Sequence, residues 1–373
     1  MIYLDNAATT FPKPDCVIRD LNFCLKKYCG NPGRSSHTLS LKASEAIYST
    51  REKIADLLHV ENPENIVFTY NATYALNIAI KCFVKEKCHI ITSDFEHNSV
   101  IRPLEGLKRR LGVEYSLIDS DGDILCSLRE NARYDTRGII CSIASNLTGN
   151  KIDLKTLSDF ANERSYFLII DASQAIGHQD IDLSKTPCDA LCAPGHKAMF
   201  GIQGAGFVYF KDNKRRGEAL IEGGSGSDSA SILMPSLLPE AYEAGTLSTP
   251  AIVSLGSGVD FIKRIEIEQI NRKLDGLTDT LYDRLSTLSE IRIYKPGNGL
   301  LSFNIDGVSS SRVASLLDNK GICVRGGLHC APSIHRKLNT LEQGAVRVSF
   351  SYLNTPHDAD ALYKAIREII KIK

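Results

Sequence analysis

Short, mostly apolar runs alternate along this chain with stretches whose apolar residues recur at helical spacing. The runs at 65–69, 89–92, 115–118, 138–142, 167–170, 189–192 and 207–210 are four or five residues long. Such runs suit strands covered on both faces, since a strand with one wet face alternates. Helical spacing fills much of the chain between them, through Leu76, Ile80 and Phe83, over 101–111 and over 154–164. Strands joined by helical crossovers indicate a parallel sheet, so the fold class is α/β. Another helix is expected over 41–58, with Ser40 as its cap and Ile47, Ile54, Leu57 and Leu58 near one face. Residues 1–36 are rich in turn formers, among them Asn6, Pro12, Pro14, Gly30 and Pro32. The rhythm breaks at 217–249, where Gly223, Gly224, Gly226, Pro235 and Pro239 mark a functional loop. A long helix is expected over 252–288. Beyond it, strands at 300–304 and 344–349 mix with helices at 311–317 and 358–370 in a smaller α+β unit.

Composition adds bounds. With 373 residues, 43% hydrophobic and 24% charged, the chain is an ordinary globular sequence with room for two domains. Lys+Arg and Asp+Glu both number 44, so nothing favours nucleic acid or an anionic membrane as partner. The start, Met1-Ile2-Tyr3-Leu4-Asp5, has no basic region and no apolar run, so a cytoplasmic location is expected. Eleven cysteines, odd in number, read as reduced thiols. His329, Cys330 and His335 lack a fourth ligand at zinc spacing, and no metal is expected.

The candidate chemistry gathers at strand ends. Ala193-Pro194-Gly195-His196-Lys197 follows one apolar run and precedes another, which puts Lys197 in a turn at the carboxyl end of a strand. Open α/β sheets hold their ligands there. A partly desolvated lysine can lose its proton and form a Schiff base. Asp171 ends a strand, with Gln174 one turn on. His97 follows the strand at 89–92, Asn146 follows 142–145, and Thr73 opens a helix whose first N–H groups would face an anion. Each alone is weak, because a strand-end aspartate is most often a cap and a loop histidine or turn lysine a surface residue. Together they offer an amine, a carboxylate, an amide, an imidazole and an anion site, the set that pyridoxal 5′-phosphate (PLP) requires.

These residues carry a resemblance. Tyr3 to Thr10, Arg34-Ser35-Ser36-His37-Thr38, Glu96-His97, Asp171-Ala172-Ser173-Gln174-Ala175, Gly195-His196-Lys197, Glu243-Ala244-Gly245-Thr246 and Arg325 to Pro332 stand in an order and spacing that resemble the class V aminotransferase-like enzymes of PLP fold type I, in their cysteine desulfurase and selenocysteine lyase branch. The resemblance implies a large domain over 15–250 with a mainly parallel seven-stranded sheet, a small C-terminal domain over 251–373, and residues 1–14 near the active site. It implies that Lys197 carries the Schiff base and moves the α-proton, that Asp171 pairs with the pyridinium nitrogen, and that Gln174 bonds the ring hydroxyl. His97 would stack on the ring and act in proton transfer. Thr73, Tyr74 and His196 would hold the phosphate, and Thr246 would reach the phosphate of the other subunit of a homodimer. Arg347 would clamp the substrate carboxylate, with Arg325 the next candidate and Asn146 near substrate and ring. Two positions depart from the family pattern: Pro194 and Ala72 lack the hydroxyl often found there, so the phosphate leans more on the helix end at Thr73.

The implied activity is conversion of L-cysteine to L-alanine, with the sulfur left as a persulfide on Cys330 and passed to an acceptor protein. Arg325 and His329, close in sequence, would lower the Cys330 thiol pKa. The same site could instead serve a selenocysteine lyase, a cysteine-sulfinate desulfinase or a class V aminotransferase. A binding protein that merely retains the fold would have no need of Lys197, Asp171, His97 and Arg347 together.

Overall fold

The apolar runs assemble into one seven-stranded sheet. The computed structural model describes residues 1–33, 37–214, 217–227 and 230–372. Arg34, Ser35 and Ser36 of the second motif lie outside the described residues. In chain order the strands are β1 (Ile2–Tyr3), β2 (Ile66–Thr69), β3 (His89–Ser93), β4 (Glu114–Ile118), β5 (Thr136–Ser142), β6 (Phe167–Asp171), β7 (Ala190–Pro194), β8 (Gly206–Phe210), β9 (Ile291–Gly297), β10 (Leu300–Ile305), β11 (Ile322–Cys323), β12 (Arg325–Gly327) and β13 (Ala345–Ser349). The helices are α1 (Asp15–Lys27), α2 (Thr38–Leu57), α3 (Ala72–Phe83), α4 (Asn98–Leu111), α5 (Ile124–Asn131), α6 (Leu154–Arg164), α7 (Thr249–Ile265), α8 (Ile267–Leu285), α9 (Ser310–Asp318), α10 (Pro332–Lys337) and α11 (Pro356–Ile372).

The large sheet runs β2-β8-β7-β6-β5-β3-β4. Its members from β4 to β7 pair in parallel, while β8 is antiparallel to β7 and β2. The reversal has a simple cause. Only the segment between Pro194 and Gly206 joins β7 to β8, too little for the helical crossover that parallel neighbours need. β3, β7 and β8 are buried at every position, as continuous apolar runs require. β4, at the edge, is exposed at Glu114. Registers align the carboxyl ends: Ser142 lies opposite Asp171, and Asp171 opposite Cys192.

A four-stranded antiparallel sheet, β12-β13-β10-β9, forms a second layer covered by α8 and α9, with α11 packed against both helices. The N-terminus is laced to this part of the chain. β1 pairs in parallel with β11, and Asp5 bridges to Ser349. One hydrophobic core runs from Ile54 and Phe207 through Leu255 to Leu301 and Phe303.

Three local expectations are corrected. Residues 15–27, within the turn-rich start, form α1, which buries Val17 and Cys24 and packs on α7. The helix expected over 252–288 is two helices that break at Glu266, where φ is +73°. The cap of α2 is His37, whose Nδ1 accepts the Ser40 N–H, and not Ser40 itself. Residues 291–297, for which the sequence pattern predicts no element, form β9 beside β10.

Candidate active site

The carboxyl ends of β2, β3, β5, β6 and β7 meet at one cavity of about 200 Å³. Lys197, Asp171, Gln174, His97 and Thr73 line it. So do His196, Asn146, Arg325 and Arg347. The structure thus brings together nine of the residues named from the sequence. Three stand apart: Tyr74 and Thr246 line a neighbouring cavity, and Cys330 lies on an adjoining groove that shares His97 and Thr73 with the first cavity.

Lys197 owes its place to the turn after β7. Gly195 donates its N–H to the Ala205 carbonyl, and a Cβ there would sit 2.9 Å from that oxygen, so the tight turn requires glycine. The N-terminal segment clamps the turn. Thr9 Oγ1 and Lys13 Nζ donate to the His196 carbonyl at 3.0 and 3.1 Å, and Thr10 Oγ1 donates to that of Lys197 at 3.1 Å. The Lys197 amine itself makes no hydrogen bond with the described residues. Burial pushes its pKa down to about 8, Asp171 opposing and Arg347 and Arg325 assisting.

Asp171 is buried at the end of β6. Its Oδ1 accepts the Ser173 N–H at 2.9 Å, while Ser142 Oγ stands 3.5 Å from Oδ2. No cation is bonded to it among the described residues. Behind it Glu96 is fully buried and accepts from Ser93 Oγ (2.5 Å), Ser142 N (2.7 Å) and Ser142 Oγ (2.7 Å). Burial raises the Glu96 pKa to about 7.

His97 caps α4. Its Nδ1 accepts the Ser99 N–H at 3.0 Å, which places the ring proton on Nε2. Burial, then Lys197, lowers its pKa to about 4, so the ring is neutral. Ser99 Oγ in turn meets Thr73 Oγ1 at 2.8 Å, tying the histidine to the start of α3. That helix end is capped by Asn71, and its first N–H groups have no partner within the helix. His196 is held neutral by burial, with a pKa near 4, and its buried Nδ1 has no partner among the described residues.

On the other wall, Arg325 lies directly opposite Arg347 across β12 and β13. Arg347 is fully buried. It donates to Asp5 Oδ1 at 2.7 Å and to the Asn146 carbonyl at 2.9 Å, and its Nε has no partner among the described residues. Arg325 has no ion-pair partner among the described residues. Two arginines facing each other with one aspartate between them leave a surplus of positive charge that suits a carboxylate. Asn146 donates from Nδ2 to the His329 carbonyl at 2.7 Å, and its Oδ1 has no partner among the described residues. Gln174 Nε2 donates to the Ala7 carbonyl at 3.0 Å.

Cys330 is exposed, and it and His329 both have positive φ, +57° and +50°. Asn98 N, at the start of α4, holds the Cys330 carbonyl at 2.7 Å. Next to this turn, Lys337 of α10 is pinned by Asp94, Asp119 and Asp121 at 2.5 to 2.6 Å. His329 was expected to lower the thiol pKa. Burial and Arg347 push its pKa to about 3, so it is neutral and brings no positive charge to Cys330.

The sequence reading missed Ser142, Ser99, Ser173 and Asp5. Ser142 carried a signal, a polar residue ending an apolar strand. Asp5 carried none, since its partner is 342 positions away.

The donor set fits a phosphorylated pyridine aldehyde. A free amine faces the cavity, a buried carboxylate lacks a cation, and a helix end and an orphaned imidazole nitrogen stand ready for an anion. No group of His, Cys, Asp or Glu among the described residues could hold a metal, and none of their helices is long and apolar enough to cross a membrane.

The model of the Aminotransferase class-V family matches residues 2–362. A "Probable cysteine desulfurase" of Methanothermobacter thermautotrophicus is 33% identical over 382 residues, covering 99% of this chain and 94% of that protein. The apo structure of a cysteine desulfurase from Thermococcus onnurineus superposes with a TM-score of 0.92 at 29% identity, over 100% of this chain and 95% of the other. A cysteine desulfurase structure from Escherichia coli gives a TM-score of 0.90 at 25% identity, over 99% and 94%.

Proposed function

Because the chain belongs to the class-V aminotransferase family, we propose that it is a PLP-dependent cysteine desulfurase that forms L-alanine from L-cysteine and takes the sulfur onto Cys330. The observation that carries this reading is the unbonded Lys197 amine facing Asp171, with an exposed cysteine on the adjoining groove. Asp171 would meet the ring nitrogen of PLP, and Gln174 the ring hydroxyl. His97 would lie against the ring. The start of α3 at Thr73 and Tyr74, with His196, would take the phosphate. Bound there, PLP supplies an electron sink for the pair left at the substrate α-carbon.

The chain's own residues do the rest. Arg347 and Arg325 orient the substrate carboxylate, with the free Asn146 Oδ1 available to the substrate ammonium. The Lys197 amine, neutral in part near physiological pH, takes the α-proton. The Cys330 thiolate attacks the substrate sulfur, forming an Sγ–S bond as the Cβ–S bond breaks. The carbon fragment takes one proton at Cβ, regains one at Cα from Lys197 and leaves as alanine, and the persulfide goes to an acceptor. Neutral His97, with its proton on Nε2, can donate and regain that proton within the cavity.

Thr246 lies outside the Lys197 cavity. We assign it to the phosphate site of a second copy in a homodimer. Arg51 holds Glu243 in a buried pair at 2.9 and 3.0 Å, which fixes the base of the segment that presents Thr246. The PLP-holding unit is residues 15–250, and 251–373 supply the carboxylate clamp and Cys330. Assay of alanine and sulfide release from cysteine, beside amino transfer to pyruvate, tests the reading. Alanine and sulfide support it, and transamination without sulfur release sinks it.

A further inference from the structure

A groove of about 440 Å³ adjoins the reaction cavity and shares Thr73, His97 and Ser99 with it. Its outer wall is basic and has no part in the chemistry described above. Lys81 of α3 and Arg102, Arg109 and Arg110 of α4 line it. All four are exposed, and none has an ion-pair partner among the described residues. No Asp or Glu among the described residues lines the groove. The Arg110 guanidinium lies over Gly106, where a Cβ would sit 3.2 Å from Nη1, so the missing side chain gives the arginine room. The whole chain has a net charge of zero. Four uncompensated cations on one groove are therefore a local excess, not a result of composition. Cys330 stands on the same groove.

The spread of these cations indicates the size of what they meet. Arg102 and Arg110 are eight positions apart on one helix, or about 12 Å along its axis. A small anion neutralises cations that converge on a point. Cations strung over that length suit a run of three or four extended residues, at about 3.3 Å each. We propose that this groove docks an acidic segment of the protein that carries the accepting thiol, its carboxylates meeting Lys81, Arg102, Arg109 and Arg110 while the thiol reaches Cys330. The proposal rests on the desulfurase reading. The transfer balances without an added oxidant or reductant. The acceptor thiolate bonds to the outer sulfur of the Cys330 persulfide, the Sγ–S bond breaks, and Cys330 departs as a thiolate with that electron pair. The outer sulfur keeps its proton. Complementary charge at the mouth of the groove speeds encounter and makes it sensitive to salt.

The test uses the full chain loaded with PLP and two short peptides, one with four glutamates beside a cysteine, the other with glutamines in their place. At low salt the acidic peptide is expected to take sulfur from Cys330 about tenfold faster. Arg102→Gln/Arg109→Gln/Arg110→Gln should erase that advantage and leave alanine formation with dithiothreitol unchanged. A second arm measures fluorescence anisotropy of the acidic peptide with serine for cysteine, which needs no turnover. If Cys330 gains no sulfur from cysteine, the desulfurase reading fails, and this binding arm alone still decides the groove. Equal rates or binding for both peptides, or an advantage that survives the triple variant, overturns the proposal. So does displacement of the acidic peptide by equimolar inorganic sulfate, or tighter binding of oligouridylate than of the acidic peptide at the same groove.

Discussion

The Lys197 amine should titrate near pH 8 in the apoprotein, and its neighbours should move that midpoint in opposite directions. Burial is the main cause of the depression from the ordinary 10.5 to about 8. At pH 7 a group of pKa 8 is about 9% neutral, whereas one of 10.5 is about 0.03% neutral. The fold therefore makes the amine about 300-fold more available for bonding to an aldehyde. Asp171 raises the Lys197 pKa, and Arg347 and Arg325 lower it. Asp171→Asn should shift the midpoint down, and Arg347→Gln or Arg325→Gln should shift it up. The assay follows capture of PLP at saturating concentration from pH 6 to 10. Borohydride fixes the adduct, and the mass of the Lys197 peptide counts it. A wild-type midpoint near 10, or acidic and basic variants that move it the same way, would refute this account of the site.

Arg347→Lys should raise KM for cysteine by about ten- to a hundredfold, roughly 1.5–3 kcal/mol for a lost bond to a charged group, because lysine lacks the planar fork. Its melting temperature should be read alongside, since Arg347 also ties down Asp5. Glu243→Ala leaves the buried Arg51 guanidinium and the Phe68 N–H without their carboxylate, and should cost about 3–5 kcal/mol by denaturant titration. Glu96, at about 7 in the folded chain against 4.5 ordinarily, contributes stability that is complete below about pH 4.5 and is lost as pH rises through 7. Relative to Glu96→Gln, the wild type should therefore lose roughly 2–3 kcal/mol between those limits and no more above them, as measured by urea unfolding at stepped pH.

The residues legible in the sequence were those whose position is set by their own strand. Lys197, Asp171 and His97 each follow an apolar run, and a parallel sheet sends such run-ends to one edge. That logic also brought Thr73 and Asn146 into the cavity. What stayed hidden depends on pairing between distant segments. Arg325 faces Arg347 only because β12 pairs with β13 in one register, and a shift of one residue would turn one of them away. The neutrality of His329 follows from burial beside Arg347 and leaves no mark in the local sequence. The break at Glu266 was also silent, because no local residue type marks a non-glycine position for a φ of +73°. In α1 the sequence misled, since Pro12 and Pro14 read as turn formers although proline is well suited to the start of a helix.

The central claim is that Cys330 accepts the sulfur. The most direct measurement is the mass of the Cys330 peptide after the PLP-loaded enzyme meets L-cysteine without an acceptor, with Cys330→Ala in parallel. The predicted result is a gain of one sulfur on Cys330, one alanine per site, and neither in the variant, which should still capture PLP at Lys197. A sulfur found on another cysteine such as Cys323, or full alanine formation by Cys330→Ala, would contradict it.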